Sequence, residues 1–531
     1  MNALLLIIVA IAVFIGAYAT YGRWLAKQWG FDNNRPTPAH SRQDGVDYMP
    51  AKAPVLLGHH FSSIAGAGPI LGPIQAAIFG WIPVFLWIII GSVFFGGVHD
   101  MGSLFASVRH DGKSLGEVIG ETMGSKGKKL FAIFSWFTLI LVVAAFTNVC
   151  ANTFVATPSA GTSSILFIFL AIGFGFAVYR RGAGLALSSV IGVALLFFCI
   201  WLGIKFPLVL TKEAWMIILL GYIFIASVTP VWILLQPRDY LNSFLLYAML
   251  IGGVLGIIIY HPTLELAGFT GFSVEGQYLF PMLFVTVACG AISGFHSLVG
   301  SGTTSKQLDT EKDIQLVGYG SMLIEGVLAV VAIITAAYLT KEGLAETLGN
   351  GGPINVFSTG LGNFMEKGFG LPFNIGSTFT ALAISAFALT SLDTATRLAR
   401  FIFQEFFEVK DAKTSNPLTN RYISTAITVV LGGVLAFKGW SAIWPVFGSA
   451  NQLLAAIALL SLALWLKKSG RKFKMAIYPT YFMFAVTLVA LGLLFKANLQ
   501  ASLVLAVFSV VLFVLAILLI MEAWKAFKKV D

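Results

Sequence analysis

The stretch "GHHFSSIAGAGPILGP", Gly58–Pro73, decides how this chain is read. It lies between apolar runs, yet carries two adjacent histidines, two serines, four glycines and two prolines where a plain spanning helix would carry Leu, Ile and Val. Glycine weakens a helix and permits unusual dihedrals, and proline removes a backbone hydrogen bond. Broken backbone at membrane depth survives only when buried in protein or lining a wet cavity. The stretch therefore predicts a discontinuous helix at the centre of a membrane protein.

The surroundings support a membrane setting. The chain has 531 residues, of which 57% are hydrophobic and 11% charged. Its mean hydropathy is +0.86. A soluble protein of this size needs far more charge to cover its surface. Runs of the roughly 20 apolar residues that a spanning helix needs recur along the chain. The fold class expected is an all-α polytopic membrane protein with about fifteen segments, at 3–25, 53–77, 81–107, 129–154, 162–179, 183–205, 213–236, 240–261, 276–300, 315–340, 372–396, 421–438, 444–466, 473–495 and 499–525.

The net charge of +10 does not indicate nucleic acid, because Lys and Arg are spread among short loops. Those loops alternate: "YRRG", "KKSGRKFK" and the tail "KAFKKVD" are basic, whereas "ATPSAGTS" and "HPTLELAGFTGFSVEGQ" are not. Basic loops mark the cytoplasmic side, so the N-terminus is expected outside and the C-terminus inside. Arg23 and Lys27 follow the first apolar run and no positive charge precedes it, the polarity of a retained helix rather than a cleaved signal. Cys150, Cys199 and Cys289 all sit in apolar runs and imply no disulfide framework. Two linkers, Ser114–Gly124 inside and Leu344–Gly368 outside, mix apolar and polar residues and are expected to lie along the membrane interfaces.

The opening stretch has an echo. "FSSIAGAGP" at Phe61–Pro69 matches "FHSLVGSGT" at Phe295–Thr303, with Ser63 opposite Ser297, Gly66 opposite Gly300 and Gly68 opposite Gly302. Six segments lie between the copies, so the second follows the first at an odd offset of seven, which gives them opposite orientations and the pattern of an inverted repeat. Breaks are expected near Ala65–Gly68 and Val299–Gly302. Ser63, Ala65, Gly66, Gly68, Ser297, Gly300 and Gly302 become the candidate solute-binding residues, since half-helix ends offer N–H groups to anions and carbonyls to cations.

Ionisable residues inside a span are costly and usually face a cavity. His59 and His60 lie on the first of these helices, His99 and Asp100 on the next, and His296 on the second copy; Glu325 falls in "MLIEGVLA" and Asp393 in "ALTSLDTATR". Arg238 and Asp239 of "QPRDY" are expected at the inner interface. His60, Asp100 and His296 are candidates for proton coupling, because only histidine titrates unperturbed near neutral pH. His59, His60, His99 and His296 are also candidates for a metal such as Zn2+, with packing as the plain alternative. No P-loop, CxxCH or flavin fingerprint appears, which argues against ATP-driven transport and against an enzyme. A channel or nutrient sensor remains a further reading.

Five motifs, "GHHFSSIAGAGPILGP", "GSVFFGGVHDMGSLFASVRHDGKSLGE", "TPVWILLQPRDYLN", "SGFHSLVGSGTTSKQL" and "ALTSLDTATRLARF", resemble the carbon starvation protein A (CstA) family over nearly the whole chain. This chain looks like a short member. The resemblance implies an inner-membrane secondary transporter taking up peptides under nutrient limitation, with pyruvate–proton symport among relatives. It also implies the five-plus-five inverted repeat of the leucine-transporter-type fold, as in the amino acid–polyamine–cation superfamily. On that core the chain divides into 1–52, a first repeat 53–205, an extra helix pair within 206–275, a second repeat 276–466 and a terminal pair 467–531. The same resemblance makes Thr390 and Ser391, with Asp393 nearby, candidate sodium ligands. Na+ and H+ both stay open as the coupling ion. The partners expected are a small solute and the bilayer; the sequence names no oligomeric state.

Overall fold

The computed structural model describes residues 2–44, 48–230, 233–407 and 416–529. Two stretches read from the sequence fall partly outside them: 231–232 of "TPVWILLQPRDYLN", and 408–415 of the basic linker before Arg421.

The chain is almost entirely helical. In order the helices are α1 (Ala3–Trp29), α2 (Ala53–Ile64), α3 (Gly68–Ala76), α4 (Trp81–Arg109), α5 (Leu115–Ala156), α6 (Pro158–Gly175), α7 (Leu185–Lys205), α8 (Lys212–Val228) and α9 (Leu235–Tyr260). They continue with α10 (Leu279–Val287), α11 (Gly294–Gly302), α12 (Gln315–Ala337), α13 (Lys341–Gly349), α14 (Gly352–Phe369), α15 (Phe373–Phe407), α16 (Arg421–Ala436), α17 (Trp440–Lys468), α18 (Lys474–Ala501) and α19 (Leu503–Lys528). A two-residue hairpin, Ser273–Val274 against Gln277–Tyr278, precedes α10.

Among the described residues twelve helical stretches are long and apolar enough to cross a membrane, or thirteen with the bent pair α2–α3. The other two of the fifteen expected segments are also helices, but α8 has 17 residues and α16 only 16.

Both breaks exist, and one lies elsewhere than expected. Helix α2 stops at Ile64, and α3 starts at Gly68 with a 48° change of direction, as the Gly and Pro content of this stretch requires. The second break is not at Val299–Gly302, which is helical to Gly302. It lies between Val287 and Gly294, where Ala288 takes φ +39° and the chain turns before α11. The backbone and polar groups freed there are met by side chains of α17. Asn451 Oδ1 accepts from the Phe295 N–H at 2.9 Å, and Gln452 Nε2 donates to the Phe284 carbonyl at 2.5 Å. Asn451 Nδ2 also donates to Ser293 Oγ at 3.0 Å. Buried backbone groups must find such partners.

The two linkers are helical. Ser114 caps α5 by accepting from the Glu117 N–H, and Gly124, at φ +84°, bends the short segment 115–123 away from the span that follows. A left-handed residue in mid-helix is what glycine permits and other residues resist. On the opposite linker α13 and α14 pack on each other, and α14 lies against α9 and α15.

The centre of the molecule is built from α5, α11, α12, α15 and α17, whose faces are buried nearly throughout. Helix α7 packs on α6 and α9 at the rim and turns Leu187, Val190 and Trp201 outward. Helix α9 is not peripheral. It lies along α2 and α15, as α17 lies along α11 and α5.

One further anchor ties the polar ends of several helices. Glu311 is fully buried, receives Arg109 through Nε at 2.7 Å and Nη2 at 2.8 Å, and accepts the Asp32 N–H at 2.8 Å. Arg109 also donates to the Gly30 carbonyl at 2.9 Å. Removing one member of such a buried pair costs about 3–5 kcal/mol. Glu311→Ala is expected to lower the thermal unfolding midpoint in detergent by several degrees, and Arg109→Ala by a similar amount. A midpoint equal to wild type in both would show that the pair is idle.

Candidate functional site

The two breaks meet. A Cβ on Gly68, at the start of α3, would lie 2.6 Å from Cys289 Sγ and 2.8 Å from its Cβ. Gly66, Gly68 and Cys289 line one small central cavity. Its remaining wall comes from Ile64, Val142 and Phe146 of α5, Phe295 of α11, Ser391 of α15 and Phe447 of α17. No charged side chain is among them. Ser391 is only 2% exposed, and its hydroxyl has no hydrogen-bond partner among the described residues. Of the solute-site candidates, Gly66 and Gly68 border the cavity. Ser63, Ala65, Ser297, Gly300 and Gly302 do not: Ser63 donates to the His59 carbonyl, Ser297 to that of Gly294, and Gly300 and Gly302 lie well along α11.

Beside the second break stands a chain of acid–base groups. Asp100 of α4 bridges two imidazoles, His99 Nδ1 at 2.6 Å and His296 Nδ1 at 2.8 Å. His296 Nε2 in turn faces Glu325 of α12 at 3.4 Å. These side chains are buried, and Glu325 has no other partner among the described residues. His60 lies close by, with Nδ1 on Thr304 Oγ1 at 2.8 Å. The sequence grouped His60, Asp100 and His296 for proton coupling and His59, His60, His99 and His296 for a metal; of these the fold brings His99, Asp100 and His296 into direct contact. Among the described residues, no three His, Cys, Asp or Glu side chains form a group able to hold a metal ion. His99 and His296 both spend Nδ1 on one carboxylate.

A second polar cluster lies between α8, α9 and α15. Arg238 is 2% exposed, so it is buried rather than at the inner interface. Its Nη1 donates to Asp393 Oδ2 and to the Tyr222 hydroxyl, and Tyr222 donates to the same carboxylate oxygen at 2.8 Å. Its Nη2 reaches Asp239 Oδ1 and Thr390 Oγ1, each at 3.3 Å. Asn242 Nδ2 also donates to Thr390 at 3.3 Å, and the Thr390 hydroxyl donates to the Ala386 carbonyl at 3.0 Å.

Sequence reasoning missed Tyr222, Asn242, Asn451 and Gln452. The last two carried a signal: an amide pair inside "GSANQLLAAIALL", where every neighbour is small or apolar.

The profile of carbon starvation protein CstA matches residues 2–347 and 342–490. The peptide transporter CstA of Escherichia coli (strain K12) is 33% identical, over 92% of this chain and 80% of that protein. The peptide transporter CstA of Bacillus subtilis (strain 168) is also 33% identical, over 87% of this chain and 84% of that one. The pyruvate/proton symporter BtsT of Escherichia coli (strain K12) is 31% identical, over 94% and 82%. Among solved structures, a manganese transporter of Eremococcus coleocola covers 92% of this chain and 99% of its own, with a TM-score of 0.55 and 12% identity. That last likeness concerns the fold alone.

Proposed function

Because the chain belongs to the carbon starvation protein CstA family, we propose that it is a secondary transporter that takes up peptides across the cytoplasmic membrane. The observation that carries this reading is the meeting of two helix breaks at one buried cavity. Such breaks present half-helix ends to a solute near the bilayer midplane, and rocking of one bundle against the other gives access from either side. The reading assigns movement of a solute and no chemical step.

The core follows as a five-plus-five inverted repeat, with all fifteen helices crossing, the N-terminus outside and the C-terminus inside. Packing supports one change to its boundaries. Helix α9 relates to α2 and α15 as α17 relates to α11 and α5, so α9 rather than α7 is the fifth helix of the first repeat. The inserted helices then come from α6, α7 and α8.

A specific observation favours a small organic acid as a second substrate class. The pyruvate/proton symporter BtsT of Escherichia coli is 31% identical over 94% of this chain. The cavity wall carries no charged side chain for either end of a peptide, whereas N–H groups freed at a half-helix end can meet a single carboxylate. Coupling runs through protons in this reading. Asp100, His296 and Glu325 form a line of exchangeable groups beside the second break, and histidine is the residue suited to charge change near neutral pH.

Counterflow in proteoliposomes tests the proposal. Vesicles preloaded with a dipeptide or with a three-carbon 2-oxo acid are expected to exchange it for the labelled solute outside. Failure of both to exchange would remove the transport reading for these classes. Exchange of the dipeptide alone would remove the small-acid reading.

A further inference from the structure

We propose that Arg238 is the resident cation of the polar pocket on α15, and that transport consequently requires no alkali-metal ion. The inference deepens the transport reading and rests on it for its uptake arm only.

The pocket has the composition of a hard-cation site. Carboxylates of Asp239 and Asp393 and the hydroxyls of Thr390 and Tyr222 converge between α8, α9 and α15, with Asn242 Nδ2 donating into the cluster. Hard cations at such depth are held by oxygen ligands of this kind. Here a guanidinium fills the place. It takes the Asp393 carboxylate and Tyr222 with one nitrogen, and Asp239 and Thr390 with the other.

The state of Thr390 is the sharper observation. A hydroxyl has one proton to give and two lone pairs. The Thr390 proton goes to the Ala386 carbonyl, and its oxygen accepts from both Arg238 and Asn242. No lone pair remains for sodium. An inorganic ion beside the guanidinium would also meet direct like-charge repulsion in a buried site.

Charge is balanced without an added ion. Asp239 and Asp393 face Arg238, and the second positive charge is Arg397, one turn further along α15, which acts on Asp239 while donating to the carbonyls of Ala226 and Thr229 on the neighbouring α8 and the residue after it. Arginine is never deprotonated in proteins and cannot dissociate. The pocket keeps its cation throughout the cycle, so the gradient that drives uptake must act elsewhere.

The test uses the purified full-length protein in two arms. In the first, melting midpoints are measured in sodium chloride and in choline chloride at equal ionic strength. A ligand that binds only the folded state raises the midpoint with its concentration. The wild type and Arg238→Lys are expected to melt at the same temperature in both salts. Arg238→Ala is expected to melt lower in choline and to recover with sodium or with added guanidinium. In the second arm, wild-type uptake is expected to be unchanged when choline replaces sodium, whereas Arg238→Ala loses about tenfold or more and regains part of it with guanidinium. A wild-type midpoint that rises with sodium would overturn the inference, as would sodium-dependent wild-type uptake. So would Arg238→Ala transporting like wild type in choline. If Arg238→Ala fails to fold, the wild type and Arg238→Lys still decide. If no solute is transported at all, the transport reading fails and the melting arm judges the pocket on its own.

Discussion

Asp100→Ala is expected to abolish accumulation of solute against its gradient and to destabilise the protein markedly. The carboxylate holds two imidazoles at 2.6 and 2.8 Å, and all three side chains are buried. Removing it leaves His99 and His296 without their common acceptor, at a cost of about 3–5 kcal/mol for a buried ionic partner. Asp100→Asn separates stability from coupling. The amide retains one acceptor for His296 but no charge, so counterflow exchange should persist while a pH gradient no longer drives accumulation. The two assays, run on the same proteoliposomes, distinguish these roles. An Asn variant that accumulates solute like wild type across the pH range would exclude Asp100 from the proton route.

Gly68→Val is expected to eliminate uptake, whereas Gly302→Ala should leave it near wild type. The sequence alone treats these glycines as equivalent members of a repeat. The structure separates them. A Cβ on Gly68 would press on Cys289 at 2.6–2.8 Å, where the two breaks touch, and valine would also intrude on the cavity that both glycines of the first break line. Overpacking of this kind typically costs about 1–3 kcal/mol, and here the displaced atoms are the site itself. At Gly302 the nearest atom to an added Cβ is Leu398 Cδ2 at 3.4 Å, an ordinary contact. Uptake rates with melting midpoints as a folding control measure the contrast. Normal transport by Gly68→Val would mean that the solute passes somewhere else.

This contrast also marks what local sequence can carry. The first break was legible because Gly and Pro are concentrated within Gly58–Pro73 itself. The second was read some ten residues too far along, because "LVGSGT" resembles "IAGAGP" while serving another purpose. Gly300 and Gly302 remain helical, and the turn instead falls at Ala288, beside an amide pair about 160 residues later in the chain. Such support is non-local and leaves no mark at the break. Arg238 was placed at the interface for a similar reason. The neighbouring "QPRDY" looks like a loop end, and the Asp393 that draws the guanidinium inward lies 155 residues away. The histidine group fared better, since His99, Asp100 and His296 stand out individually in apolar runs and their helices adjoin both breaks. Of the fifteen expected segments, twelve, or thirteen with α2–α3, are long and apolar enough to cross a membrane among the described residues; the other two are helices of 17 and 16 residues, just short of a usual span.

The amides of α17 also make the two halves of the core mechanically unequal. At the second break, Asn451 and Gln452 stitch Phe284, Ser293 and Phe295 to a long buried helix. At the first, Ala65 and Gly66 bond only to residues just behind them, the carbonyls of Phe61 and Ile64. Reshaping the first break leaves no such hydrogen bonds to a neighbouring helix to be broken at Ala65 and Gly66, whereas reshaping the second means breaking those that join α10 and α11 to α17. One joint is therefore compliant and the other riveted. In a hinge-type transition the motion falls to the residues that can absorb it. A transition of that kind would have a moving limb, α2 with its histidine pair, and a fixed post, α10 and α11 with α17.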